Sequence, residues 1–396
     1  MFISNLREHM KLLKIRFDHL RMFEGGVLDL DLYASDRVPS SDESAFGLAR
    51  SLYSNNVVAL AGINATGKTT VLNLVELACR IVGGLPALGG GLPSALPMLF
   101  DGAPSLRCLF LQEGALFLLE SQLALGDGDY PLAFADEIVS RLPEGRLRKA
   151  DLASWPALEA AARPLARRTD IDGVFAALAP SDVSIASASV ARVCGGRARA
   201  AVFRDDGFRL DGAFDGLDDV LRVFDPGIEH LEVGDSGRAF TLTFKGAKPV
   251  PLSEQGLAEV LSSGTVRGLG LVQRSLAALG SGGYLLVDEI ENHLNRQLVN
   301  VVLGLFASRE TNPNGATLVF TTHYPQLLDH VHRKDNVYFL VRGEVGTSAV
   351  KYSDRVKRIE NKKSEVFASN YVKGTAPRYS DVKALKDLVA KAVCNG

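Results

Sequence analysis

An α/β fold, with a mixed sheet flanked by helices, is what this sequence predicts, and three stretches predict it. The apolar run Val57-Val58-Ala59-Leu60 leads through Gly62-Ile63-Asn64-Ala65-Thr66-Gly67-Lys68-Thr69 into Val71-Leu72-Asn73-Leu74-Val75-Glu76-Leu77: a short strand, a glycine-bounded loop and a helix. Tyr284-Leu285-Leu286-Val287 is an unbroken apolar run ending in Asp288-Glu289, and Ala316-Thr317-Leu318-Val319-Phe320 is another that delivers Thr321-Thr322-His323. Strands apolar along their whole length suit a parallel sheet covered on both faces.

The first stretch has the spacing G-x-x-x-x-G-K-[ST] of a phosphate-binding loop. Glycines let the backbone curl so that successive N–H groups point at phosphate oxygens, and the helix N-terminus adds partial positive charge. Lys68 is expected to reach the β/γ-phosphates, and the Thr69 hydroxyl to sit on Mg²⁺. The candidate nucleotide contacts are Gly62, Asn64, Ala65, Thr66, Gly67, Lys68, Thr69 and Thr70. ATP with Mg²⁺ is the expected ligand.

Ahead of this loop, Leu12 to Phe17 and Val27 to Leu32 alternate apolar and polar residues and read as half-buried strands joined through Glu24-Gly25-Gly26. Ser35 to Glu43 is polar and reads as a surface loop. Residues 1–100 are thus expected to form the first part of a nucleotide-binding head. Between 101 and 255 the pattern changes, and an insertion of mixed helices and β-hairpins is expected. There, Leu106 to Gln112 and Ala115 to Glu120 read as strands around Glu113-Gly114. Leu132 to Leu142 and Ala157 to Leu178 read as helical, the second interrupted at Pro164. Ala200 to Arg204 and Phe208 to Leu210 flank the turn signal Asp205-Asp206-Gly207, and Phe240 to Phe244 is an alternating strand. Residues 256–396 resume the head, with helices at Val266 to Leu279 and Asn295 to Ala307, a strand at Asn336 to Val341, a basic stretch from Lys351 to Lys363, and a final helix from Val382 to Val393.

At 396 residues the chain can bury a large core, and 46% apolar with 23% charged residues is ordinary for a soluble globular protein. A net charge of −2 argues neither for nor against nucleic acid. Cys79, Cys108, Cys194 and Cys394 form no C-x-x-C pair, so they read as reduced thiols of a cytoplasmic protein. Met1 to Met10 has no apolar core of a secretory signal. Ile81 to Phe100 is uncharged over its length, but Gly83, Gly84, Pro86, Gly89, Gly90, Gly91, Pro93 and Pro97 break it, which suits a mobile loop and not a membrane span.

In an open α/β sheet, groups at the carboxyl ends of neighbouring parallel strands lie beside the ligand. Asp288 fits the carboxylate that holds Mg²⁺ through water, and Glu289 the general base that polarises the attacking water. His323, ending the next apolar strand, is placed to touch the γ-phosphate.

These residues together resemble the ABC-type ATPases of the SMC, RecF and OLD group, and especially the compact ATPases of abortive-infection and other anti-phage systems. Asn64 in the third loop position is typical of that group. Leu261-Ser262-Ser263-Gly264-Thr265 resembles its signature loop, Asp288 to Leu294 its Walker B and D-loop, and Thr322-His323 its switch histidine. The motifs occur in family order and cover about residues 12–82 and 257–345; the segment between resembles nothing named. The resemblance implies an ABC-ATPase head whose signature loop completes the site of a second copy. Ser262 and Gly264 would contact, in trans, a γ-phosphate bound by the partner's Lys68. Glu291 and Asn292 would lie at the dimer seam, and a glutamine, for which Gln112 is the candidate, would reach the site from the middle region. Ser263 and Thr265 depart from the commonest signature.

The same resemblance implies a homodimer or higher homo-oligomer acting as the sensor or scaffold ATPase of a phage-defence pair, with a separately encoded effector such as a Toprim-type nuclease. Only about seventy residues follow His323, and they hold no Asp-x-Asp, so a Toprim site is not expected in this polypeptide. The competing reading is a RecF-like ATPase of DNA maintenance, in which Lys351, Arg355, Lys357, Arg358, Lys362 and Lys363 meet phosphates; Glu360 and Glu365 offset that charge.

Overall fold

The helix Lys68–Val82 (α1) lies between two six-stranded sheets, and its side chains join both in one core. The computed structural model describes residues 10–49, 51–126, 131–143, 148–170, 180–205, 214–234, 239–356, 361–376 and 379–394. The first strands are β1 (Lys11–Leu20), β2 (Leu28–Asp31), β3 (Ala45–Ala49), β4 (Leu52–Asn55) and β5 (Val57–Ala61). The middle of the chain adds β6 (Phe100–Gln112), β7 (Ala115–Leu125), β8 (Leu132–Arg141), β9 (Arg163–Arg167) and β10 (Val202–Asp205), with helix α2 (Ala186–Cys194). Helix α3 (Leu217–Phe224) precedes a small antiparallel sheet of β11 (Ile228–Val233), β12 (Ala239–Phe244) and β13 (Val250–Ser253). Then come α4 (Ser263–Ser281), β14 (Tyr284–Val287), α5 (Arg296–Ala307), β15 (Thr317–Thr322), β16 (Val337–Arg342), β17 (Thr347–Lys351) and α6 (Tyr379–Cys394).

One sheet has the order β10-β14-β15-β5-β16-β17, parallel throughout except for the last pair. The other, β2-β1-β6-β7-β8-β9, is antiparallel. β5 shows why its sequence is apolar at every position. Val58 and Leu60 face α1 and the antiparallel sheet, while Val57, Ala59 and Ala61 face α4 and α5. With both faces covered, burying each large side chain contributes roughly 1.5–3 kcal/mol. The strands β6 to β9 extend the sheet begun by β1 and β2, and β10 forms an edge of the parallel sheet.

Two expectations change. Leu132–Arg141 is strand β8, not a helix. A register shift opposite Gln122 and Leu123 inserts Ala135, so Leu132 and Phe134 face inward before it and Glu137 and Val139 after it. That extra residue imitates helical spacing. In the second stretch a helix covers only Trp155–Ala161 among the described residues; Arg163–Arg167 is strand β9, where Pro164 is tolerated because, among the described residues, one side lacks a partner. The remainder of that stretch, from 171, lies outside the described residues. Val202–Asp205 pairs in parallel with β14, and the hairpin partner expected at Phe208 to Leu210 lies outside the described residues.

The turn Glu113-Gly114 has positive φ at both residues (50° and 80°), the geometry of a tight hairpin. Within the stretch from Ile81 to Phe100, Ala87, Leu96 and Phe100 are buried, and the Arg80 guanidinium donates to the Pro86 carbonyl. Among the described residues no helix is long and apolar enough to cross a membrane. Cys79, Cys108 and Cys194 are free thiols.

Candidate nucleotide-binding site

The loop after β5 is shaped by close approach. At Gly62 a side chain would put its Cβ 2.4 Å from Thr66 Oγ1 and 2.7 Å from the Leu340 carbonyl oxygen, so only glycine fits. Ala65 (φ 63°) and Gly67 (φ 81°) turn the chain through left-handed backbone, and Thr66 Oγ1 donates to the Ile63 carbonyl at 2.8 Å. Gly67 is the N-cap of α1, with no side-chain cap and no acidic residue in the first turn. The first N–H groups of that helix therefore face the loop's concave side with their positive end unneutralised, the arrangement that receives an anion.

Lys68 folds back across the loop, its amine donating to the Gly62 and Ile63 carbonyls at 3.0 and 3.1 Å. Burial lowers its pKa, against the carboxylates of Glu289, Asp288 and Glu291, which raise it. Asn64, Ala65 and Thr69 are exposed, and Thr70 is half-buried.

The acid pair ends β14, two strands from β5. Asp288 accepts from both neighbours: from Thr69 Oγ1 at 2.7 Å and from Thr321 Oγ1 at 2.5 Å. A threonine hydroxyl and one carboxylate form a hard oxygen donor set. That set fits Mg²⁺, which keeps several waters and takes phosphate oxygens as further ligands. Glu289 has φ 47°, a left-handed backbone held by its N–H donating to Thr321 Oγ1 at 2.7 Å. Its carboxylate accepts from Asn292 Nδ2 at 2.6 Å. Strain of this kind is kept only where surrounding contacts over-determine it.

Glu291 departs from the expectation that it lies at an interface. It is 6% exposed, accepts the His323 backbone N–H at 2.7 Å and lies 2.9 Å from His323 Nδ1. It orients the His323 ring, which also rests against Tyr324.

Ser262 is the N-cap of α4, its Oγ accepting from the Thr265 backbone N–H at 3.0 Å. Ser262 and Ser263 are exposed, and Thr265 is buried. Gly264 packs on the D-loop-like turn, where a Cβ would lie 2.5 Å from the His293 carbonyl oxygen. One turn further along, Arg267 donates to the Asp288 and Glu289 carbonyls at 3.0 and 3.2 Å and pairs with Asp205 of β10 at 3.2 Å.

Gln112 does not lie where a residue contacting the phosphates would. It ends β6 beside the turn, and its neighbour Leu111 pairs with Lys11. The Lys11 amine reaches the Gly282 and Gly315 carbonyls, which precede β14 and β15. Gln112 therefore sits toward the amino ends of the parallel strands, whereas the phosphate loop follows the carboxyl end of β5. The carboxyl end of β10 instead carries Asp205, in a run that reads as an ordinary turn. Thr321 and Arg267 likewise fall outside the motifs, and Asn292, inside the D-loop-like stretch, was expected at a dimer seam and not on Glu289; only their spacing from Thr322, Ser263 and Glu289 (one residue, one helical turn, three residues) would flag these contacts.

Residues 169–329 match a family described as "AAA domain, putative AbiEii toxin, Type IV TA system". The match takes in Ser262, Gly264, Asp288, Glu289 and His323, while the phosphate loop precedes it. No curated protein matches the chain. The chain has an α/β fold with a mixed sheet flanked by helices, and over residues 169–329 it is similar to AAA-type P-loop ATPases of the abortive-infection, ABC-like kind.

Proposed function

We propose that this chain is a Mg²⁺-dependent ATP hydrolase that closes head to head with a second copy around ATP. Its role is a switch subunit of an abortive-infection system, controlling a separately encoded effector. The observation that carries the reading is the Thr69–Asp288 hydrogen bond, which joins the phosphate loop to an acid pair remote in sequence. Lys68, withdrawn onto two carbonyls, swings to the β- and γ-phosphates when they fill the loop. Thr69 and Asp288 would hold Mg²⁺, whose charge would offset that on the phosphate oxygens when both are bound. Glu289, aimed by Asn292, takes a proton from the attacking water, and His323, held by Glu291, faces the γ-phosphate.

Ser262 and Ser263 are exposed at the N-terminus of a 19-residue helix whose positive end can meet a phosphate outside this chain, the Thr265 N–H being capped by Ser262. This supports completion of the site in trans. The DNA-maintenance reading is weakened in part of its basic segment. Lys351 is buried against Asp31 at 2.8 Å, and the Lys363 amine donates to the Val331 carbonyl.

Binding and turnover test the core of the proposal. Lys68→Ala is expected to lose ATP binding, and Glu289→Gln to bind ATP normally with turnover reduced at least about a hundredfold, the scale of a lost general base. Normal turnover by Glu289→Gln would remove the base assignment. Retrieval of an effector nuclease with Glu289→Gln and ATP from the native host supports the defence role; duplex affinity without any partner supports the alternative.

A further inference from the structure

We infer that α6 is a self-association element: two copies of the chain pair through this helix in parallel, without nucleotide. The helix has 16 residues, and every side chain described on it, from Tyr379 to Val393, is exposed. Leu385 and Leu388 are 60% and 65% exposed. A helix of this length is marginal alone in water, so one that covers no core needs another surface on its apolar stripe.

The spacing identifies that surface. Val382, Leu385, Val389 and Ala392 follow each other at intervals of three, four and three, the a and d positions of a coiled-coil seam. In that register Asp381 takes a g position and Lys386 the e position of the next heptad. In a parallel, in-register pair, g of one helix meets e of the other, so Asp381 and Lys386 form two reciprocal ion pairs across the seam. Neither residue has an opposite charge three or four places away along α6, so within the helix that complementarity is unused. An antiparallel pair sets e against e and loses it. Asp387 stands four places from both Lys383 and Lys391, on the outer face of the helix in this register. The balance of three lysines and two aspartates leaves little net charge for an anionic lipid surface.

Two heptads make a weak interface by themselves. Their effect is to raise the effective concentration of one head for the other, so that ATP closes a pair already tethered. This inference stands apart from the proposed head closure, because it concerns the chain without nucleotide.

The test is sedimentation velocity of the full chain, stripped of nucleotide, over a hundredfold range of concentration. A concentration-dependent dimer is expected. Leu385→Asp should weaken it at least about tenfold, the effect of a charge in an apolar seam. Asp381→Lys should weaken it several-fold, and adding Lys386→Asp should restore it. Because α6 covers no core, unchanged melting and ATP binding verify that each variant is folded. A monomer at every concentration, a dimer indifferent to Leu385→Asp, or a double swap weaker than Asp381→Lys alone would overturn the inference.

Discussion

The Thr69 hydroxyl donates to the Asp288 carboxylate at 2.7 Å, tying the first turn of α1 to the end of a strand two places away in the sheet. Both groups are ligands a magnesium ion would use, and they are held together before it arrives. Thr69→Ala and Asp288→Asn should therefore act on the metal more than on the nucleotide. We expect the Mg²⁺ concentration for half-maximal ATP hydrolysis to rise at least about tenfold in each, the loss of one charge-assisted contact. Isothermal titration of ATP in EDTA should change little; an equal loss of affinity with and without Mg²⁺ would contradict the assignment.

Arg267 couples the helix behind Ser262 to the acid pair through the Asp288 and Glu289 carbonyls. Its other partner, Asp205, has a side chain only 2% exposed and is also 3.5 Å from Arg274. Arg267→Ala should lower stability by about 2–3 kcal/mol, below the usual penalty for breaking a buried pair because Arg274 remains. It should also cut kcat more than ATP affinity. Denaturant unfolding and a kcat-against-KM comparison check both parts.

Glu291 holds His323 by two contacts, one to the backbone and one to the ring. Glu291→Gln keeps an acceptor for the backbone N–H and removes the charge beside the ring, whereas Glu291→Ala removes both. Turnover should fall in the order wild type, Gln, Ala, with ATP affinity held within about threefold, since neither change touches the phosphate loop. Loss of ATP binding in Glu291→Gln would show that this residue serves the loop instead.

Lys11 is buried, and burial lowers its pKa to about 7. An unfolded lysine keeps its proton to about pH 10.4. Between these values the unfolded chain binds more protons, so the sign of the linkage makes stability rise with pH. From pH 7 to 8.5 the gain from this group is at most about 2 kcal/mol. Urea unfolding should show that slope in the wild type and a flatter one in Lys11→Met. Equal slopes would mean that the Lys11 amine stays charged on its two carbonyls.

Much of the site was legible because its chemistry is local. The phosphate loop, the acid pair and His323 each follow an apolar strand directly, and strand ends converge in a parallel sheet. What was not legible depends on contacts between elements. Ala135 in β8 disguised a strand as a helix, since one inserted residue moves the inward-facing set by one. Gln112 was plausible as a strand-end glutamine, but strand direction puts it toward the wrong end of the sheet, a property no single stretch encodes. Arg267 and Asp205 matter only because α4 crosses β10 and β14, and Glu291 reads as an exposed acid until His323 is packed against it.

Sedimentation of Glu289→Gln in the Leu385→Asp background, with and without Mg²⁺ and ATP, tests the shared-site claim most directly. The second change removes the α6 seam, and the first removes turnover. A dimer is expected with Mg²⁺ and ATP, one that Ser262→Arg abolishes, and a monomer without nucleotide. A monomer that binds ATP fully yet never pairs would contradict the shared site.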